Sequence, residues 1–319
     1  VAQMMSVFVL LSLLLQLFCC YIVHRKSKLR MVTEMIKTLT FTKLGTCWWQ
    51  VLTNKKTSSH AILPPLSEMM FFIICEIMAE SIPMTIVQVS TLLQSDELDP
   101  IVILSLLISA CFVAENISYL SYVKDINAES RRTGRLFYGF MPLSGVRFLV
   151  VNIAIRTISL CQLLAKAMEI AIIYHFWGRE LLATVLSCEM FVYLAYKICV
   201  KDFRYWLRLP KRFSLIFSLL IRIVMKVVAD FTGILHARHP YELGGSYWLF
   251  NTIYTQASVF TVLHLKNGKN VESRRNGLNG DSELFTIAAS LFAVWAIAVV
   301  ALGASMERGY LHTFYQRTR

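Results

Sequence analysis

The stretch EIMAESIPMTIVQ (76–88) carries two glutamates four residues apart, then a proline and a glutamine, inside about twenty otherwise apolar residues. At that spacing Glu76 and Glu80 share one face of a helix, and Gln88 lies on the same broad side further along. Pro83 has no N–H for the carbonyl of residue 79 and is expected to kink the helix there. A second set, Arg222, Lys226 and Asp230, stands at intervals of four within another apolar run and makes one polar stripe. Glu115 lies alone in a third run. Ionisable groups in hydrocarbon cost about 2.5–3.5 kcal/mol or more, so they mark either a hydrated path for polar solutes or internal ion pairs. Rise per residue places Arg222 and Lys226 near the depth of Glu80, and Glu115 near that of Glu76. A pairing of Glu80 with these cations across two helices is the sharp expectation. Lys166 and Glu169, three apart, suit a pair on one helix.

Enzyme chemistry finds little footing. Asp230, His236 and His239 do not repeat HExxH, and no nucleophile motif accompanies them. No phosphate-binding glycine pattern occurs, and no Cys/His cluster has zinc spacing. The reading is therefore a non-enzymatic protein with no metal and no cofactor. The eight cysteines lie almost entirely in apolar segments and read as buried free thiols, with palmitoylation the alternative for Cys19 and Cys20.

The elements that must carry these residues are membrane spans. The 319 residues are 56% hydrophobic and only 16% charged, with a mean hydropathy of +0.56, whereas soluble domains carry about 25% charged residues. Eight segments reach the length of about 20 apolar residues that a span needs: 1–23, 69–93, 100–122, 143–175, 178–200, 213–236, 243–265 and 283–305. The fold expected is an all-α polytopic bundle, one transmembrane domain over 1–319. The net charge of +12 sits mostly in connections, which argues against a nucleic-acid partner. Alternate connections hold 8, 4, 5 and 4 Lys or Arg, against 0, 1 (Arg179, at the very start of the next run), 1 and 3 for the others and the tail. By the positive-inside rule, 24–68, 124–142, 201–212 and 266–282 are then cytoplasmic, and both ends of the chain face the other way. Within 24–68, residues 31–52 mix apolar, aromatic and basic types. They are expected to form an amphipathic helix that does not cross, with Trp48 and Trp49 at headgroup level, or a re-entrant one. The chain opens on Val inside an apolar run, as a piece truncated at its N-terminus would.

EIMAESIPMTIVQ resembles the Glu-containing, Pro-centred helix of the XK-related family of membrane proteins, several of which are phospholipid scramblases. LQLFCCYIVHRKSKLR (15–30) is similar to that family's helix ending in a basic cytoplasmic segment, and FTKLGTCWWQ (41–50) to its Leu–Gly-containing amphipathic stretch. NISYLSYVKDINAESRR (116–132) looks like its aromatic-then-basic exit. The resemblance covers about residues 10–200 by order of features. Met84 stands where the family favours Gln after the proline, and the family has a further helix before the first one here. What the resemblance implies is movement of phospholipids between leaflets, with Glu76, Glu80, Gln88, Glu115, Arg222, Lys226 and Asp230 lining the path. Membrane phospholipids are then the ligands, with a partner membrane protein or a second copy as further partners. The plasma membrane is the expected residence and an internal membrane the alternative. A non-catalytic scaffold, or a channel- or receptor-like bundle, would show many of the same features.

Overall fold

A computed structural model describes residues 2–25, 27–53, 65–94, 100–126, 141–199, 214–233, 245–269 and 280–306. Every regular element among them is helical. Most of the connections whose charges set the expected sidedness, and both His236 and His239, lie outside the described residues. The chain divides into two compact units, 1–84 and 85–319, each described by itself.

The first unit comprises α1 (Ala2–His24), α2 (Lys28–Leu39), α3 (Lys43–Leu52), α4 (Pro65–Glu76), a π-helix (Ile77–Ser81) and the start of α5 (Ile82–Gln94). The expected single amphipathic helix over 31–52 is instead two helices. Thr40 caps α2, and Phe41 turns the chain with a φ of 57°. Both are far too short to cross hydrocarbon about 30 Å thick. Their faces are reversed relative to a soluble helix. Glu34, Thr38, Lys43 and Cys47 are buried, while Leu29, Val32, Ile36, Leu39, Phe41, Trp48 and Trp49 are exposed. Apolar side chains turned outward and charges turned inward suit a helical pair immersed in lipid at its outer face.

The π-helix stands where Pro83 removes a donor. Ile82 N–H bonds to Ile77 C=O, five residues back, so the helix widens by a residue ahead of the proline. The expected kink site is thus a π-segment inside one continuous apolar run, Leu66–Gln94.

The second unit holds the rest of α5, then α6 (Pro100–Ile126), α7 (Gly145–Cys199), α8 (Ser214–Thr232), α9 (Gly245–Lys269) and α10 (Gly280–Ser305). The α7 element is a helical hairpin. Gly178, at φ 81° and ψ −179°, reverses it, and Lys166 in the first arm meets Glu189 in the second at 2.7 Å. Such dihedrals are nearly closed to any residue with a Cβ. The first arm is the hub, against which α6, α9 and α10 pack. A buried cluster including Met141, Val151, Ile155, Ile158, Trp248, Trp295, Leu302 and Met306 fills the space between them.

Five helices among the described residues are long and apolar enough to cross a membrane: Gln3–His24, Leu66–Gln94, Pro100–Val123, Gly145–Tyr196 and Ser282–Ser305. Eight was the expectation. Two of the expected spans, 143–175 and 178–200, are the arms of the α7 hairpin. Two more, 213–236 and 243–265, coincide with α8 and α9, which are too polar to qualify. Arg222, Lys226 and Asp230 sit within the 19 residues of α8, and α9 buries Asn251, Thr252, Thr255, Gln256 and Ser258.

Helix directions within this unit also depart from the charge alternation. Tyr122 meets Phe148 and Asp125 accepts from the Met141 N–H, so α6 runs antiparallel to the first arm of α7. Along α9, Gln256 meets Gln162, Ser258 meets Glu169, and the Lys266 ammonium lies 4.4 Å from the centre of the Phe176 ring. Those contacts advance together, so α9 runs parallel to that arm. Phe260 against Phe285 and Phe292 turns α10 back again, and Met306 ends in one cluster with Met141. Residues 266–269 are therefore at the Gly178 end of this unit, opposite residues 124–126, whereas both were expected on one side. Alternation counting assumes that every apolar run crosses once. The polar α8 and α9 remove that assumption.

Replacing Gly178 by Ala should destabilise the hairpin by about 1–3 kcal/mol, the strain of a Gly-only conformation. Thermal unfolding of the purified chain in detergent would register this as a lowered midpoint, with helix content unchanged below it.

Candidate functional site

Among the described residues three polar systems stand out, and they differ in what they face. The first runs along α1 and α4 in the first unit. Glu80, on the π-helix, is hydrogen-bonded by Ser12, and Gln16 one turn on donates to Ser12 at 3.3 Å. Next along the seam, the Cys19 and Cys75 sulfurs lie 3.6 Å apart. Last, His24 Nε2 meets Glu68 at 2.8 Å. As the α1 number climbs through 12, 19 and 24, its partner falls through 80, 75 and 68, which is an antiparallel seam about 18 Å long. Glu76 sits half-buried beside it, one turn from Glu80.

At the His24 end the seam becomes a knot of charge. The Lys43 ammonium bridges Glu34 and Glu68 at 2.5 Å each, Lys37 adds a second cation to Glu34 at 2.7 Å, and His24 closes on Glu68. Four helices meet there: α1 through His24, α2 through Glu34, α3 through Lys43 and α4 through Glu68. Ligand atoms of His24, Glu34 and Glu68 lie within 4.8 Å of one another, close enough to hold a metal ion. Lys43 already supplies the cation between the carboxylates, so the site is answered without one. Burial alone would raise the Glu34 pKa, but hydrogen bonds from Lys37 and Lys43 outweigh it and hold the carboxyl below its usual range. Burial pulls Lys43 down, and the Glu68 and Glu34 carboxylates more than reverse that. Cys47, buried on the same face of α3, is pushed up to about 12 mainly by desolvation and stays a thiol. Cys20 is buried with its sulfur against Thr38, so the palmitoylation alternative does not suit it.

The second system is the interior of the other unit. Lys166 binds Glu169 at 2.9 Å and Glu189 at 2.7 Å, with Ser258 and Tyr254 hydrogen-bonded to those two carboxylates in turn. Lys226 pairs with Asp230 one turn along α8 and lies 5.7 Å from the Tyr193 ring centre. Asn251 donates to the Asp230 carboxylate at 3.1 Å, and Gln162 to the Asp230 carbonyl at 3.0 Å. Gly233 follows at φ 58°, in the left-handed region that favours glycine. The stripe expected on α8 is therefore real, and Arg222, Lys226 and Asp230 are all buried. So is the Lys166–Glu169 pair. Lys166–Glu189 across the hairpin, and Asn251 and Gln162 on Asp230, are the contacts here that tie helices together.

The third system faces outward. Arg156 on α7 donates from Nη2 to Glu115 Oε1 on α6 at 2.8 Å, and its Nε lies 2.7 Å from Oε2 as an ion-pair contact without a hydrogen bond. Their side chains remain 42% and 57% exposed. Ile108, Phe112, Leu149 and Ile153 nearby are exposed as well. Glu115 is eight residues from the end of its apolar run (Pro100–Val123), hence about 12 Å inside it. Ser118 donates to Asn152 one turn away. Gln88 is buried on α5 and donates to Ser105 of α6 at 2.9 Å.

Of the residues singled out from sequence, Glu76 and Glu80 belong to the first unit, and Gln88, Glu115, Arg222, Lys226 and Asp230 to the second. Within its unit Glu80 has Ser12; within theirs Lys226 has Asp230 and Glu115 has Arg156. Arg156, Glu189, Lys43 and the His24–Glu68 pair were not foreseen. Each sits at a helix end or singly in a run, where spacing on one helix says nothing. No family model, curated protein or solved structure matches the chain.

Lys43→Met would leave the buried Glu34 and Glu68 carboxylates facing one another. A loss of about 3–5 kcal/mol is expected, as for other broken buried pairs, read as a lowered unfolding midpoint. The same knot should respond to pH. The lowered Glu34 pKa adds stability that is present above the ordinary carboxylate value of about 4.3 and lost as pH falls through the lower folded value. Lys43 is raised, so its contribution holds below about 10.4 and fades as pH climbs beyond it. Fluorescence of Trp48 and Trp49, in a chain lacking the other tryptophans, should shift as the pH falls below about 4 and again as it climbs beyond about 10.

Proposed function

We propose that the chain is an XK-like integral membrane protein that moves phospholipids between leaflets, with the Glu115–Arg156 pair as the point where a headgroup engages. The observation carrying this reading is the exposure of that pair, well inside an apolar run and among exposed apolar neighbours. An ion pair against hydrocarbon is costly, and its cost falls if polar groups reach it. A zwitterionic headgroup offers phosphate to Arg156 and ammonium to Glu115, exchanging one pair for two charge-assisted contacts while its acyl chains stay in lipid. Gln88, Arg222, Lys226 and Asp230, fully buried, would then support the lipid path rather than line it. The two arms of α7 count as separate passes, while α8 and α9 would lie among the spans as polar helices. The plasma membrane is the proposed residence.

The closed internal networks favour a second reading, a scaffold whose charges only pin helices. Reconstitution separates the two. In vesicles with a quenchable fluorescent phospholipid, wild type should flip lipid faster than protein-free vesicles. Glu115→Gln and Arg156→Gln should slow it by about tenfold, the equivalent of ~1.4 kcal/mol in a barrier, with unfolding midpoints unchanged. Wild-type vesicles that flip no faster than empty ones would leave only the scaffold.

A further inference from the structure

The α1–α4 seam contains one contact that neither ion pairing nor lipid transit uses. Cys19 and Cys75 stand sulfur to sulfur at 3.6 Å across two helices, between the Ser12–Glu80 and His24–Glu68 contacts. Both are free thiols and both are partly accessible, whereas Cys20, Cys47 and Cys161 are buried. Cys111, Cys188 and Cys199 are exposed, but no sulfur contact is made by them among the described residues. We propose that Cys19 and Cys75 are a redox modification site, closing to a reversible disulfide when a hydroperoxide reaches the seam.

The geometry suits closure. A disulfide needs about 2.05 Å between sulfurs, so they must approach by about 1.5 Å. Side-chain rotation supplies most of that, because the contacts on either side already hold α1 and α4 in register. The chemistry balances with one hydroperoxide. Either sulfur, as thiolate, attacks the O–O bond, which breaks. That sulfur becomes a sulfenic acid, and the peroxide is reduced to an alcohol that carries off the thiol proton. The second sulfur then attacks the sulfenic sulfur. The S–S bond forms, the S–O bond breaks, and hydroxide leaves with the second proton as water. Two thiols and ROOH thus give disulfide, ROH and H2O. A thiol reductant reverses the product by exchange. Uncharged peroxides enter apolar surroundings, so the source can be aqueous hydrogen peroxide or a peroxidised lipid of the surrounding membrane.

The test uses the full chain in lipid nanodiscs, with one arm given hydrogen peroxide and the other a lipid hydroperoxide. After quenching, unfolding and maleimide labelling, the untreated chain should carry eight labels, matching its eight cysteines. The oxidised chain should carry two fewer, and proteolysis with mass spectrometry should recover one Cys19–Cys75 linked peptide that reductant removes. Closure by both oxidants places the site within reach of water and lipid; closure by one alone identifies its source. Cys19→Ser and Cys75→Ser should each leave the remaining partner labelled. Oxidation that consumes thiols without the linked peptide, or that links two chains instead, would overturn the proposal. So would full labelling of both cysteines in the two arms.

Discussion

A charge placed in an apolar chain must be met by an opposite charge or by water, and that constraint organises both units. Lys43 between Glu34 and Glu68 is the tightest instance. It draws four helices to one point, and it explains why α2 and α3 bury their polar faces. With the carboxylates fixed inward, the leucines and tryptophans of those short helices are left to face outward. Hydrophobic burial alone would have turned the same helices the other way round. In the second unit Lys166 has the corresponding place, held between carboxylates from both arms of a hairpin.

Where a charge goes unburied is then informative. The interior pairs leave little for a ligand to do, since exchanging their partners would open the core. Glu115 and Arg156 have no such obligation. They lie on the outside of two helices that are already packed through Tyr122, Phe148 and the cluster around Val151. Packing and polar display are thus carried by different residues of the same two helices. A surface that keeps its fold when its charges are altered is also one on which function can be probed cleanly.

Much of this was legible in the sequence, and the illegible parts share a cause. Helix class, the apolar runs and the stripe on α8 follow from spacing along one helix. Pro83 marked the position of the π-segment, although not its widened form. The non-crossing character of 31–52 was foreseen; its division at Phe41 was not, because Thr40, Phe41 and Thr42 carry no glycine or proline to mark a turn. Partners across helices within each unit were missed, as with Arg156 for Glu115 and Ser12 for Glu80. Contacts between helices depend on register, which composition does not encode. The end at which residues 266–269 stand differs from the expectation for a related reason: charge alternation reads crossings, and α8 and α9 are too polar to be counted as such.

The hairpin of α7 bears on how the chain is made. A ribosome delivers helices to the membrane one after another, and an isolated Lys166 would have to wait, charged, for a partner from elsewhere. Here Glu169 emerges three residues later, and Glu189 follows on the returning arm, with only Gly178 between the two helices. The counter-charges arrive with the segment that needs them. The hairpin therefore brings partners for Lys166 before α8, α9 or α10 has been synthesised, and those later helices assemble onto a hub whose buried cation is already paired.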